Sequence, residues 1–124
     1  MSTFAETVRL TADPALRYTP DGKPVVQIRF AINSGYYDKA AGQWVDHEAT
    51  FLDGEFWRGA ENAAESLSKG HEVIVRGNLR TRSWDREDGT RGSKTYVEIT
   101  DIGPSLLHQT AKVTKVRREQ PAAE

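Results

Sequence analysis

The sequence predicts an all-β fold, five strands closed into a Greek-key barrel with one short helix between the third and fourth. Three observations carry this. Apolar residues alternate with polar ones in several separate runs, the period of a half-buried strand. A single stretch has helical spacing. Clusters of Gly, Pro and Asp punctuate the runs at short intervals. With 124 residues the chain fits one domain with a small core, which partner subunits would help to stabilise.

Residues 7–10 open the domain as a short alternating run. In VVQIRFAIN (25–33), Val26, Ile28, Phe30 and Ile32 share one face, and Gln27, Arg29 and Asn33 the other. The run EATFLDGEFW (48–57) reads as the third strand, bent at Gly54. Ala60, Ala63, Ala64 and Leu67 follow the i, i+3, i+4, i+7 spacing of a helix that Gly70 would end. Along 72–84, Val73, Val75 and Leu79 face one way and Arg76, Arg80, Arg82 and Trp84 the other. Residues 94–102 repeat the pattern with Val97 and Ile99. PDGKP (20–24), YYDKAAGQ (36–43) and DREDGTRG (85–92) read as loops. A helix between the third and fourth of five strands matches an OB barrel, whose closure removes exposed edges. Residues 1–108 form this domain, and 109–124 a C-terminal extension in which 109–116 could add one extended segment.

Composition narrows the function classes. There is no cysteine, which excludes a disulfide framework and a thiolate zinc site. The first ten residues lack a signal-peptide pattern, and no apolar run approaches the ~20 residues that span a bilayer, so a cytoplasmic protein is expected. A formal net charge of −1 rules out a uniformly basic chain but not a local cationic patch.

Three constellations could carry chemistry. Arg80, Arg82 and Trp84 share one strand face, which suits a phosphate chain with bases stacked alongside. A solvated face whose tryptophan covers an apolar edge is the competing reading. Tyr36, Tyr37 and Lys39 lie in the predicted loop with Trp44 at its base. Tyr36 is read as a base-stacking ring beside a cationic Lys39, and Trp44 as an anchor. Phe51, Phe56 and Trp57 form the third set, where parity separates Phe56 from the other two without saying which side is core. Lys94, on the last strand, is taken as an exposed position outside the site.

Support for catalysis is thin. His47, His71 and His108 lack metal-ligand spacing. Asp53 and Glu55 could hold Mg²⁺ in a nuclease, but paired acids on a strand are more often solvated charge. Neither a phosphate-binding glycine loop nor a nucleophile elbow is present, so no enzyme, cofactor or metal is expected.

TADPALRYTPDGKPV, AENAAESLSKG and above all VRGNLRTRSW resemble the bacterial single-stranded DNA-binding protein family, and DIGPSLLHQTAKVTK its actinobacterial branch. The likeness spans about residues 7–115. It implies an OB fold, assembled as a homotetramer, that wraps single-stranded DNA without strong sequence preference in replication, recombination or repair. It also implies stacking roles for Tyr36, Phe56 and Trp84, with Phe51 and Trp57 as branch-specific members of the aromatic set. Lys39, Arg58, Lys69, Arg80 and Arg82 match basic positions that face the DNA backbone. Residues 109–115 resemble an extra strand that clasps a neighbouring subunit. Two features depart from the family pattern: the acidic Asp53 and Glu55, and an ending, RREQPAAE, without the usual acidic tip. Recruitment of partner proteins through the tail is therefore not expected, and an interaction module for protein or RNA with weak DNA binding is the rival reading.

Overall fold

The computed structural model describes residues 2–32, 35–46 and 48–116. The elements are β1 (Ser2–Leu10), β2 (Ala15–Tyr18), β3 (Pro24–Ile32), β4 (Gly35–Asp38), β5 (Gln43–Asp46), β6 (Thr50–Phe56), α1 (Ala60–Ser66), β7 (Glu72–Asp85) and β8 (Arg91–Pro104). Five of the strands close on themselves. Strand β1 pairs with β7, β7 with β8, β8 with β6 and β6 with β3, and a short β1–β3 ladder at Arg9↔Ala31 and Leu10↔Phe30 completes the circuit. The β6–β8 pairing is parallel and the others are antiparallel, as a barrel needs when a helix intervenes before its last hairpin. This is the expected OB barrel, with α1 between its third and fourth strands.

Alternation explains the interior. Val26, Ile28 and Phe30 of β3 meet Phe4, Val8 and Leu10 of β1, Val73 and Val75 of β7, and Val97 and Ile99 of β8 in one cluster. The Phe4 and Phe30 rings lie 5.9 Å apart at a tilt of 48°. Helix α1 plugs one end with Ala60 and Ala63, followed by Leu67. Each buried branched or aromatic side chain contributes about 1.5–3 kcal/mol, so this cluster dominates the stability of the fold.

Two glycines mark close approaches. At Gly77 the β7–β8 register slips, leaving Thr100 as an extra residue on β8 between the Arg76↔Asp101 and Gly77↔Ile99 pairs. A Cβ at Gly77 would stand 2.2 Å from the Glu98 carbonyl oxygen. The bulge also reverses parity along β8, so that Ile102 joins Val97 and Ile99 against the core. Gly54 answers a second contact. A Cβ there would lie 2.5 Å from Ile99 Cδ1, while the β3–β6 register runs unbroken from Ile32↔Thr50 to Val26↔Phe56. The bend expected at Gly54 is therefore absent, because the glycine serves packing and not a turn.

Other expectations need correction. Strand β2 was not foreseen. It pairs with β3 across a turn in which the Gly22 amide donates to the Thr19 carbonyl at 2.8 Å and Gly22 has φ +86°. The Tyr18 hydroxyl at its end donates to Glu61 of α1 at 2.7 Å, which raises the phenol above its ordinary pKa. Residues 36–43, read as a loop, are mostly strand: β4 and β5 form their own two-stranded sheet, with Tyr37 directly opposite Trp44. Gly70 does not end the helix. Leu67 leaves it with extended backbone (φ −111°, ψ 151°) and is buried in the core, and Gly70 (φ +91°) turns the chain toward β7. Residues 109–116, expected to clasp a neighbouring subunit, pair with no strand of their own chain, and the Gln109 side chain bonds both to the Glu72 amide, at 3.2 Å, and to the Glu72 carbonyl. Among the described residues no helix is long and apolar enough to cross a membrane.

Candidate nucleic-acid interface

The outward face of β3, β6, β8 and β7 is built by the residues that alternate with the core. Antiparallel partners share a face, so Gln27 lies beside Glu55, Arg29 beside Asp53, Arg80 beside Tyr96, Arg82 beside Lys94 and Trp84 beside Gly92. The parallel β6–β8 ladder brings the two halves into one surface. Arg82, Trp84, Lys94 and Tyr96 surround a recess of about 170 Å³ floored by Asp53 and Glu55, with Gln27 at its side.

Trp84 is 44% exposed. A Cβ at Gly92 would lie 2.5 Å from its indole, so the glycine is what lets the ring lie over the neighbouring strand. The Arg82 guanidinium sits 4.6 Å from the centre of the Tyr96 ring, a cation–π contact. The same guanidinium donates to Glu55 at 3.3 and 3.5 Å, and this bond, reinforced by the carboxylate charge, raises the pKa of Arg82 further.

Asp53 and Glu55 are not simply solvated charge. Their side chains are only 17% and 13% exposed, and each carries two cations: Arg29 and Lys94 on Asp53, Arg17 and Arg82 on Glu55. Arg17 and Arg29 stand 3.9 and 3.8 Å from their partners. Each of the four cationic side chains is more than half exposed, with four cations set against two carboxylates. The face thus keeps an excess of positive charge pointing outward over a half-buried acidic floor. Arg80 pairs separately with Glu98 at 3.1 Å.

The expected site residues fall into three groups. Arg80, Arg82 and Trp84 lie together on this face. Trp57, 40% exposed, continues the outward parity of β6, with Phe51 (70% exposed) at the other end of that strand. Phe56 goes the other way. With β6 unbroken, Leu52, Gly54 and Phe56 point inward, and Phe56 packs half-buried against the core, with its ring filling the space beside Gly59. Phe56, expected to stack on bases, thus lies on the core side of β6, half-buried, and the exposed phenylalanine of this strand is Phe51.

Lys39, Arg58 and Lys69 are exposed on connections: the β4–β5 turn, the β6–α1 link and the α1–β7 link. The Lys69 amide donates to Asp13 at 2.8 Å. Tyr36 pairs through its backbone with Val45, and its side chain lies outside the described residues. Tyr37 and Trp44, 56% and 58% exposed, face each other across that hairpin.

Sequence reasoning missed Lys94, Tyr96, Arg17 and Arg29. Lys94, expected outside the site, pairs with Asp53 beside Trp84. The signal was present: a hairpin turning at Asp88-Gly89 places 84 opposite 92, 82 opposite 94 and 80 opposite 96.

Comparison with known proteins agrees with this geometry. The single-strand binding protein family matches residues 7–105. A Mycobacterium bovis protein named single-stranded DNA-binding protein is 47% identical over 110 residues, which cover 88% of this chain and 67% of that one. Its Mycolicibacterium smegmatis namesake is 44% identical over 118 residues, covering 94% and 72%. The crystal structure of a small single-stranded DNA-binding protein from Streptomyces coelicolor superposes with a TM-score of 0.73 at 28% identity, covering 86% of this chain and 96% of that one. The chain belongs to the single-strand binding protein family, in the company of actinobacterial relatives.

Proposed function

We propose that this protein binds and protects single-stranded DNA without regard to sequence, in replication, recombination or repair. The observation that carries this is Trp84, half-exposed and held over Gly92, with Arg82 and Lys94 alongside. An aromatic face stacks any unpaired base for about 1–3 kcal/mol, and a duplex hides the base faces it needs. Cations beside it displace counterions from phosphates and give affinity that falls with salt. In this reading Trp84, Trp57, Phe51 and Tyr36 supply the stacking set. Arg17, Arg29, Lys39, Arg58, Lys69, Arg80, Arg82 and Lys94 supply contacts to the backbone. The protein acts by binding and not by catalysis, in the cytoplasm, on DNA of the nucleoid.

Assembly as a homotetramer is part of the same proposal. The exposed Leu106, Leu107, Val113 and Val116 of the extension are suited to cover a neighbouring copy, in keeping with the family resemblance. The rival interaction-module reading drew on the acidic pair together with the ending that lacks an acidic tip, and the first of these motives weakens where cations outnumber the two carboxylates.

A fluorescence titration with oligo-dT, repeated across salt concentrations and beside a duplex of equal length, tests the proposal. Quenching of tryptophan emission by the single strand, weakening steeply with salt and far weaker with duplex, is expected. An unchanged emission at low salt would refute it. Sedimentation as a monomer at micromolar concentration would refute the tetramer alone.

A further inference from the structure

Asp53 and Glu55 are costly neighbours for a surface that must attract phosphate. They are half-buried, they sit at the centre of the face and they hold four of its cations. We infer that these two carboxylates set selectivity for single strands over duplex DNA, by cancelling part of the cationic charge while leaving the rings uncovered. This rests on the reading of the face as a single-strand binding surface.

The reasoning follows from what each part of the face offers a ligand. Cations act on every polyanion, and each phosphate contact steepens the dependence of log affinity on log salt by about 0.9 for duplex and about 0.7 for a single strand. Stacking is available only to unpaired bases. Charge removed from the face therefore weakens duplex binding more than single-strand binding, and the stacking contribution survives intact.

The geometry keeps the two contributions separate. Asp53 and Glu55 lie beneath their cations, with 17% and 13% of their side chains exposed, whereas Trp84 stays 44% exposed at the rim of the same recess. Each cation has a carboxylate within reach and must loosen that contact to take a phosphate, so carboxylate and phosphate compete for it. An ion pair whose cation stays exposed to water is weak, so a bound strand can displace it.

The test compares three proteins: the wild type, the isosteric double variant Asp53→Asn/Glu55→Gln, and a control, Asp21→Asn/Glu65→Gln. The control raises net charge equally at exposed positions of the β2–β3 turn and α1. Fluorescently labelled oligo-dT and an equal-length duplex report affinity by anisotropy across salt. In the double variant the salt slope steepens by nearly 2 for duplex and by about 1.4 for oligo-dT, so selectivity for the single strand falls about threefold near roughly 50 mM salt. The single variant Glu55→Gln shows half the change in slope, and near-ultraviolet circular dichroism verifies that each variant is folded.

An equal rise for both ligands, a fall in oligo-dT affinity, or the same loss of selectivity in the control overturns the inference. A wild type that binds neither ligand sinks the functional reading instead. In that case duplex binding gained by the double variant still reports that the carboxylates restrain the cations, and no gain overturns that as well.

Discussion

The molecule carries aromatic and basic residues on two hairpins, and the two are built very differently. Strands β7 and β8 run for fourteen residues each, and β1 holds residues 72–79 while β6 holds 97–99, so the barrel fixes at its base the register that the hairpin carries out to its tip. Trp84 is seated over Gly92, Arg82 is held between Glu55 and Tyr96, and Lys94 is held on Asp53. Strands β4 and β5 run for four residues each and pair only with one another, with Tyr37 and Trp44 opposed across them. A two-stranded hairpin alone is marginal in water. The comparison teaches that similar side chains can be presented pre-organised or on a small independent platform. Only the first arrangement spares the ligand the entropy of ordering them.

The strongest way to break the comparison is to remove the packing that gives β7–β8 its register. Gly77→Val places carbon against the Glu98 carbonyl, 2.2 Å from where its Cβ must stand, and a backbone atom there cannot move aside. A loss of about 3 kcal/mol or more in denaturant unfolding is expected, with oligo-dT binding reduced alongside. Trp84→Ala ranks next. It leaves the barrel folded and lowers oligo-dT affinity by about 1–3 kcal/mol, roughly five- to 150-fold.

Gly92→Val sharpens the point, since it keeps the tryptophan but occupies the space beneath its ring. A shift in tryptophan emission is expected, with a loss of affinity no larger than that of Trp84→Ala. Trp44→Ala on the small hairpin, which no barrel strand holds, should cost less oligo-dT affinity than Trp84→Ala. Equal losses from Trp44→Ala and Trp84→Ala in the same titration would erase the distinction between the hairpins.

The smallest effect lies at the β7–β8 turn, where the Thr90 hydroxyl and amide hold the Asp88 carboxyl below its ordinary pKa. A depressed carboxylate contributes above its unfolded pKa and loses that contribution as pH falls through the lower folded value. Thr90→Val should raise the Asp88 midpoint in an NMR titration and leave oligo-dT binding at neutral pH unchanged.

Much of this was legible in the chain itself. Period-two alternation in 25–33, 72–84 and 94–102 marks three barrel strands and most of their core residues, because burial on one side of a sheet imprints its period directly. Arg80, Arg82 and Trp84 were legible for the same reason. Phe51, Phe56 and Trp57 were not, since parity separates them without naming the inner side. The unbroken β3–β6 register and the Gly54–Ile99 contact decide that. Strands β2, β4 and β5 were hidden by turn-forming residues around them, and strands of four residues leave too few positions for alternation to show.

The sequence by itself determined the barrel, its helix, its apolar interior and one ring-and-cation strand, all of which follow from local periodicity. Tertiary structure alone decided that Asp53 and Glu55 would lie beneath Arg17, Arg29, Arg82 and Lys94, drawn from β2, β3, β7 and β8. Charges brought together from separate strands have no shared spacing along the chain, and only the closed sheet sets the distances over which they act.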